Sequence, residues 1–183
     1  MIIFNYDRCV EYFLLNALQI FYNITVVESA ELISYLNIFH PYGITGNLPI
    51  ISSQDSIEFG KDPDYDTLWR LTDKIKTFTE GTDPESSEIM SIKKSMYDAD
   101  IIVFLGFAFH HLNVNLLTPN LMKENEKLRY CYATVFEVSK SNQDAIKDDI
   151  LFMYQDNVKV NLAEETSRHL ISDYERSLWF YGY

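Results

Sequence analysis

Glycine is scarce in this chain, six among 183 residues, and no two of them form a Gly-x-Gly pair. That excludes the glycine-rich loop that turns backbone amides toward a phosphate at a helix start. Basic charge is short as well. Fifteen Lys and Arg face 27 Asp and Glu, a formal net charge of -12, which repels a phosphate backbone. Lys93-Lys94 and the lysines scattered from Lys123 to Lys159 are separated by acids and read as solvated helix faces, so no nucleic-acid partner is expected. Cysteine is limited to Cys9 and Cys131, without the close spacing of a zinc site or redox pair, which points to a reducing compartment. No apolar run nears the roughly 20 residues that span a bilayer, and the opening residues lack the basic and apolar regions of a signal peptide. The expectation is a cytoplasmic chain with no membrane partner. A metal centre is not expected either, because His110 and His111 are adjacent and no Asp, Glu or Cys stands at ligand spacing from them.

Apolar residues are plentiful: hydrophobic types make up 47% and aromatics 15%, enough for a sizeable core in one domain of this length. Met1 to Phe4 read as a buried strand, with Asn5 to Arg8 as the turn after it. A chain that opens directly in an apolar run suggests that a segment or partner strand precedes it. Glu11, Tyr12, Leu15, Leu18 and Phe21 mark a buried helix from about Arg8, and Glu28 to Leu36 a shorter one started by Glu28 or Ser29. Asn37 to His40 read as a strand that Pro41 ends. Residues 43–66 form a long, Gly-, Pro- and Ser-rich loop, a length that suggests a lid or site-lining segment. Leu68, Leu71, Ile75 and Phe78 predict a helix over 66–80, stopped by Gly81. Asp83 and Pro84 open the next, with Ile89, Ile92 and Met96 as its packing stripe.

Ile101 to Leu105 are five consecutive apolar residues, read as a strand buried on both faces in mid-sheet. Gly106 to Asn113 would then lie beyond its carboxyl end, where open α/β sheets bind ligands. Val114 begins a helix that Pro119 interrupts. Arg129 to Val138 and Val158 to Leu162 read as further strands. Helices follow them, one opened by a box at Ser141 to Asp144 and one over 164–177, before an aromatic tail at 179–183. Strands alternating with helices predict a mostly parallel α/β sheet.

Three strand-end turns carry the polar groups: Asn5-Tyr6-Asp7, His40-Pro41-Tyr42-Gly43, and Gly106-Phe107-Ala108-Phe109-His110. From parallel neighbours they would converge on one sheet edge and offer an amide, a carboxylate and imidazoles among aromatics. The plain alternative is that Asn5 and Asp7 form a turn and cap a helix. By the same measure His110 and His111 are part-buried rings satisfied by carbonyls, His169 is structural, and the aromatics are core.

Phe4 to Arg8 with Glu11 nearby, the Tyr42 to Gly46 turn, and Ala99 to His110 with Asn113 together resemble the later part of a sirtuin-like domain. The likeness is to the bacterial, defence-associated NAD-cleaving type and covers most of the chain in order. It implies a Rossmann-like α/β domain over 1–183, complete or partial, with helices on both faces and without the family's first strand and glycine loop. It also implies hydrolysis of the nicotinamide-ribose bond of NAD. Asn5 and Asp7 would hold the nicotinamide ribose and carboxamide, and His40 would act as base. Tyr42, Gly43, Gly106, Phe107, His110 and Asn113 would bind the nucleotide, with Gly106 near its adenosine side. A fixed amide orients a hydroxyl or water, a carboxylate favours the developing sugar cation, and an imidazole accepts a proton near neutral pH.

Two departures accompany the likeness. The family's base stands directly before the glycine, where this chain has Tyr42, and His40 lies two residues earlier; strand alternation would point both the same way. The glycine loop is absent, which predicts weak or no turnover by the chain alone. The alternative is a catalytically degenerate nucleotide-binding or oligomerisation module, binding NAD or an ADP-ribose-like nucleotide. Either reading leaves an uncovered sheet edge near Met1 for a second copy or a partner chain.

Overall fold

The structure is a computed structural model and describes residues 1–53, 56–72, 74–76, 86–120 and 127–179. The chain divides into two compact units, Met1–Glu88 and Ile89–Tyr183, and each is described by itself.

The first unit is built on two helices, α1 (Cys9–Tyr22) and α2 (Val26–Ser34). Asn23, at φ 53°, ends α1 in the left-handed conformation that Asn tolerates. Two residues later Thr25 starts α2 with a capping box: its hydroxyl accepts from the Glu28 amide, and the Glu28 carboxylate accepts from the Thr25 amide at 2.7 Å. The cap is therefore Thr25, not Glu28 or Ser29. Ser29 is fully buried instead and donates to the Leu15 carbonyl at 2.8 Å, tying α2 to α1. Leu15, Ile33 and Leu48 form the local core.

Neither Met1–Phe4 nor Asn37–His40 forms a strand. The two runs meet in one parallel bridge, Ile2 with Phe39, held by amide-carbonyl bonds of 2.9 and 3.0 Å. After His40, Pro41 and Tyr42 form a turn closed by the Gly43 amide on the His40 carbonyl at 2.8 Å, the placing of Pro and Gly that such turns favour.

Residues 43–53 and 56–64 contain no helix and one bridge, Asn47 with Ser56. Arg8 fixes this segment. Its guanidinium, buried in spite of its charge, donates to the carbonyls of Asn47, at 2.9 Å, and Ile57, so the long loop is clamped. The helix predicted over 66–80 is shorter, α3 (Tyr65–Thr72); Phe78, Glu80, Gly81, Asp83 and Pro84 lie outside the described residues.

The second unit is mixed α/β: a three-stranded parallel sheet with helices. Its strands are β1 (Ile101–Phe104), β2 (Arg129–Thr134) and β3 (Val158–Ala163), in the order β1-β2-β3. Ile101 pairs with Tyr130, and Tyr130 with Lys159. The helix α4 (Ser87–Asp98) precedes β1, and its stripe of Ile89, Ile92 and Met96 is buried as its spacing requires. β1 is not a mid-sheet strand. Among the described residues it pairs with β2 alone, and Val103 is 37% exposed, because the Ile102 and Phe104 face is covered and the other is covered only in part, at Ile101.

α5 (His111–Leu117) starts three residues before the helix expected at Val114. β2 stops at Thr134 rather than Val138, since Phe136 and Glu137 turn the chain, Glu137 with φ 58°. α6 (Lys140–Met153) is capped by Ser139, two residues ahead of the expected box. The last predicted helix breaks at Tyr174 into α7 (Ser167–Asp173) and α8 (Glu175–Trp179). Leu170, Tyr174 and Leu178 pack on Tyr130, Tyr132 and Ala163 of one sheet face. Of the tail, residues 180–183 lie outside the described set.

Candidate functional site

The first unit places Asn5, Asp7, His40, Tyr42 and Gly43, and the second Gly106, Phe107, His110 and Asn113. Within the first, one cluster is drawn together by the turn before α1, the first turn of α1 and the end of the 37–40 run. His40 Nε2 lies 2.6 Å from Glu11 Oε1, and its Nδ1 lies 3.1 Å from the Asn5 carbonyl oxygen. The His40 and Glu11 side chains are only 9% and 10% exposed.

The Asn5 carbonyl only accepts, so Nδ1 donates; with Glu11 ionised Nε2 donates as well, and a ring that donates twice is an imidazolium. Burial pushes the His40 pKa down, but the bonds to Glu11 and to the Asn5 carbonyl, with the charges of Glu11 and Asp7, outweigh it and hold it above its ordinary 6.5. Burial likewise pushes Glu11 up, and the His40 bond and charge carry it below its ordinary 4.5. Both shifts favour the ionised form of the pair. Its second oxygen, Glu11 Oε2, is buried with no hydrogen-bond partner among the described residues.

Asp7 serves α1. Its carboxylate accepts from the Cys9 amide at 2.9 Å, and that bond first, with the Cys9 and Asn5 side chains, holds its pKa down against the effect of burial. This is the turn-and-cap role open to an Asp before a helix. Tyr42 is buried edge-to-face on Phe4, with ring centroids 5.8 Å apart. The intervening turn removes the strand alternation that would have set it beside His40. Gly43 has φ 89°, and a Cβ there would stand 1.9 Å from the Lys74 carbonyl oxygen, so only glycine fits.

A cavity of about 460 Å³ opens beside the pair. Glu11, His40, Gly43 and Asn47 line it together with the apolar side chains of Ile44 and Ile51. Four residues of the clamped loop, Gly43, Ile44, Asn47 and Ile51, line this cavity. Glu11 is the residue that sequence pattern alone undervalues. It sits among apolar residues on α1 as a charged exception, and its partner is 29 positions away.

In the second unit the loop after β1 lies at the strand's carboxyl end. Gly106, exposed and at φ 60°, donates its amide to Thr134 Oγ1 at 2.9 Å. Phe107 packs with Phe104 and Phe109 at centroid distances of 5.1 and 4.9 Å. His110 caps α5, its Nδ1 accepting from the Leu112 amide, and His110 and His111 are exposed rather than part-buried. Asn113 is half-buried in the first turn of α5. Arg129, fully buried, donates to the carbonyls of Lys127 and Tyr97 and stacks on Tyr97 and Tyr154. A second cavity, of about 540 Å³, has two exposed carboxylates on its wall, Asp148 and Asp156, and no imidazole.

Among the described residues no group of three or more His, Cys, Asp and Glu is placed to hold a metal ion, and no helix is long and apolar enough to cross a membrane. No family model, curated protein or solved structure matches the chain.

Proposed function

We propose that this chain is a Rossmann-like, sirtuin-like domain related to enzymes that cleave the nicotinamide-ribose bond of NAD, and that it turns over slowly by itself. The supporting observation is the buried, hydrogen-bonded Glu11–His40 pair beside a cavity whose volume falls in the range of small-molecule sites. In that reaction the bond from the pyridine nitrogen to ribose C1′ breaks and its electron pair leaves with nicotinamide. Water then adds to C1′ and releases a proton. A fixed carboxylate favours the positive charge that develops on the sugar. Asn5 and Asp7 stand in the turn that carries the His40 contact. Tyr42 and Gly43 shape the opposite turn, and Gly106, Phe107, His110 and Asn113 are the residues assigned to nucleotide binding in the second unit.

Slow turnover follows from the absence of any Gly-x-Gly, since the chain supplies no amide cradle of that type for the pyrophosphate. The Gly106 amide is also engaged by Thr134. These same two observations favour a second reading, a nucleotide-binding module without turnover. Nicotinamide release from NAD, followed by chromatography, tests the first. Slow release is expected, and none after prolonged incubation at high protein concentration rejects cleavage. Calorimetry with NAD and ADP-ribose then decides whether binding remains.

A further inference from the structure

The outer side of α1 takes no part in the site. Cys9, Phe13, Asn16 and Ile20 are all exposed, and their alternating spacing of four and three residues sets them in one seam along the helix, the repeat by which two helices pack side by side. Phe13 is 67% and Ile20 83% exposed. Tyr12, stacked on Phe59 with ring centroids 4.0 Å apart, and Phe21 flank the seam. The seam carries no charge. Glu11 is the one charged residue of α1, and it is buried against His40. In a chain of net charge -12, this is a face that two copies can bring together without setting acid against acid. With about 150–250 Å² for a fully exposed large side chain, the seam and its flanks offer on the order of 600 Å² per copy, so a pair buries about 1,200 Å², the lower end of standard interfaces.

Asn16 selects the partner. It lies at the middle of α1 and donates one N–H to the Tyr12 carbonyl at 2.7 Å; its carboxamide has a second N–H and an oxygen to satisfy. A purely apolar cover would bury both unpaired, at a cost. The same amide brought across a two-fold axis supplies one donor and one acceptor in return.

We propose that α1 is a self-association surface: two copies of this chain pair their seams about a two-fold axis at Asn16, the two Asn16 amides bonded to each other and Phe13 and Ile20 closing the apolar contact on either side. This goes beyond the nucleotide reading and does not depend on it. It moves the contact expected for a second copy from Met1–Phe4 to α1.

Analytical ultracentrifugation of the full chain tests it. Wild type is expected to pass from monomer to dimer between about 1 and 100 μM, the weak end for an interface of this size. Phe13→Glu and Ile20→Glu, with unchanged circular dichroism, each raise the dissociation constant about tenfold or more. Under mild oxidation, with Cys131 buried, Asn16→Cys in a Cys9→Ser background forms a disulfide-linked dimer. Lys147→Cys in the same background, at an exposed position of α6, does not. Cross-linking decides the matter if a charged variant fails to fold. A wild-type monomer throughout that range, a dimer that both charged variants leave intact, or equal cross-linking from the two positions overturns the proposal. So does a monomer that sediments with phosphatidylcholine vesicles, which gives the face to a lipid surface.

Discussion

His40 shows how completely a partner can reassign a side chain. A lone histidine near a glycine turn invites the role of base, yet bonds to the Asn5 carbonyl and to Glu11 hold this ring in place and favour its charged form. Nitrogen-15 NMR of the imidazole gives a direct measure: the ring is expected to titrate above 6.5. A ring that titrates below 6.5 would contradict the pairing. Gly43 is the other residue whose identity is dictated locally. Gly43→Ala sets a methyl into the Lys74 carbonyl at a φ that L-residues avoid, and a loss of about 2 kcal/mol or more is expected by chemical denaturation. Glu11 was legible as an acid within an apolar helix pattern and as a neighbour of the Phe4 to Arg8 motif, without a role of its own. Its distant partner is set by tertiary packing, which spacing does not encode. Arg129 gave no signal in the sequence, because no spacing links it to the carbonyls and rings that hold it.

Elements were most legible where one periodic stripe meets one core. Ile89, Ile92 and Met96 located α4, and alternation with β-branched and aromatic residues located β2 and β3. The failures cluster where structure depends on a partner. Met1–Phe4 and Asn37–His40 have strand-like composition, but one bridge between them is no ladder, and strand propensity is realised only against neighbours. The β1 run looked buried on both faces because composition cannot report which face a helix covers. Helix starts were misplaced by two or three residues because several Ser, Thr and Asp compete for each cap, and only reciprocal geometry chooses among them. Thr25 is the chosen one for α2. Thr25→Ala is expected to cost about 1 kcal/mol, read as a lower melting temperature with unchanged NAD or ADP-ribose affinity.

For the whole molecule, the pair sets a pH dependence whose sign can be worked out. His40, with its pKa raised on folding, contributes stability that is complete below 6.5 and is lost as pH rises through its folded value. Glu11, with its pKa lowered, contributes stability that is complete above 4.5 and is lost as pH falls through its folded value. The pair is therefore most stabilising between about pH 4.5 and 6.5, and melting temperature should decline from pH 6 toward pH 9. The decline should flatten in Glu11→Gln; an equal slope in both proteins would count against the assignment. Exposed apolar surface lies less at Met1–Phe4, whose Ile2, Ile3 and Phe4 are half-buried, than along α1, where Phe21 is 82% exposed beside exposed Ile20 and Phe13. Light scattering is expected to show concentration-dependent association that Phe21→Glu reduces.

The β1-β2-β3 order of the second unit has a consequence for its synthesis. Among the described residues β2 and β3 each leave the ribosome after a neighbour has been made, so the sheet grows in the direction of translation and no strand is inserted between two others. Pauses in elongation after residue 134 would leave a paired, parallel β1–β2 nucleus rather than an orphan strand. A nascent chain halted there is the shortest one expected to resist proteolysis in this unit.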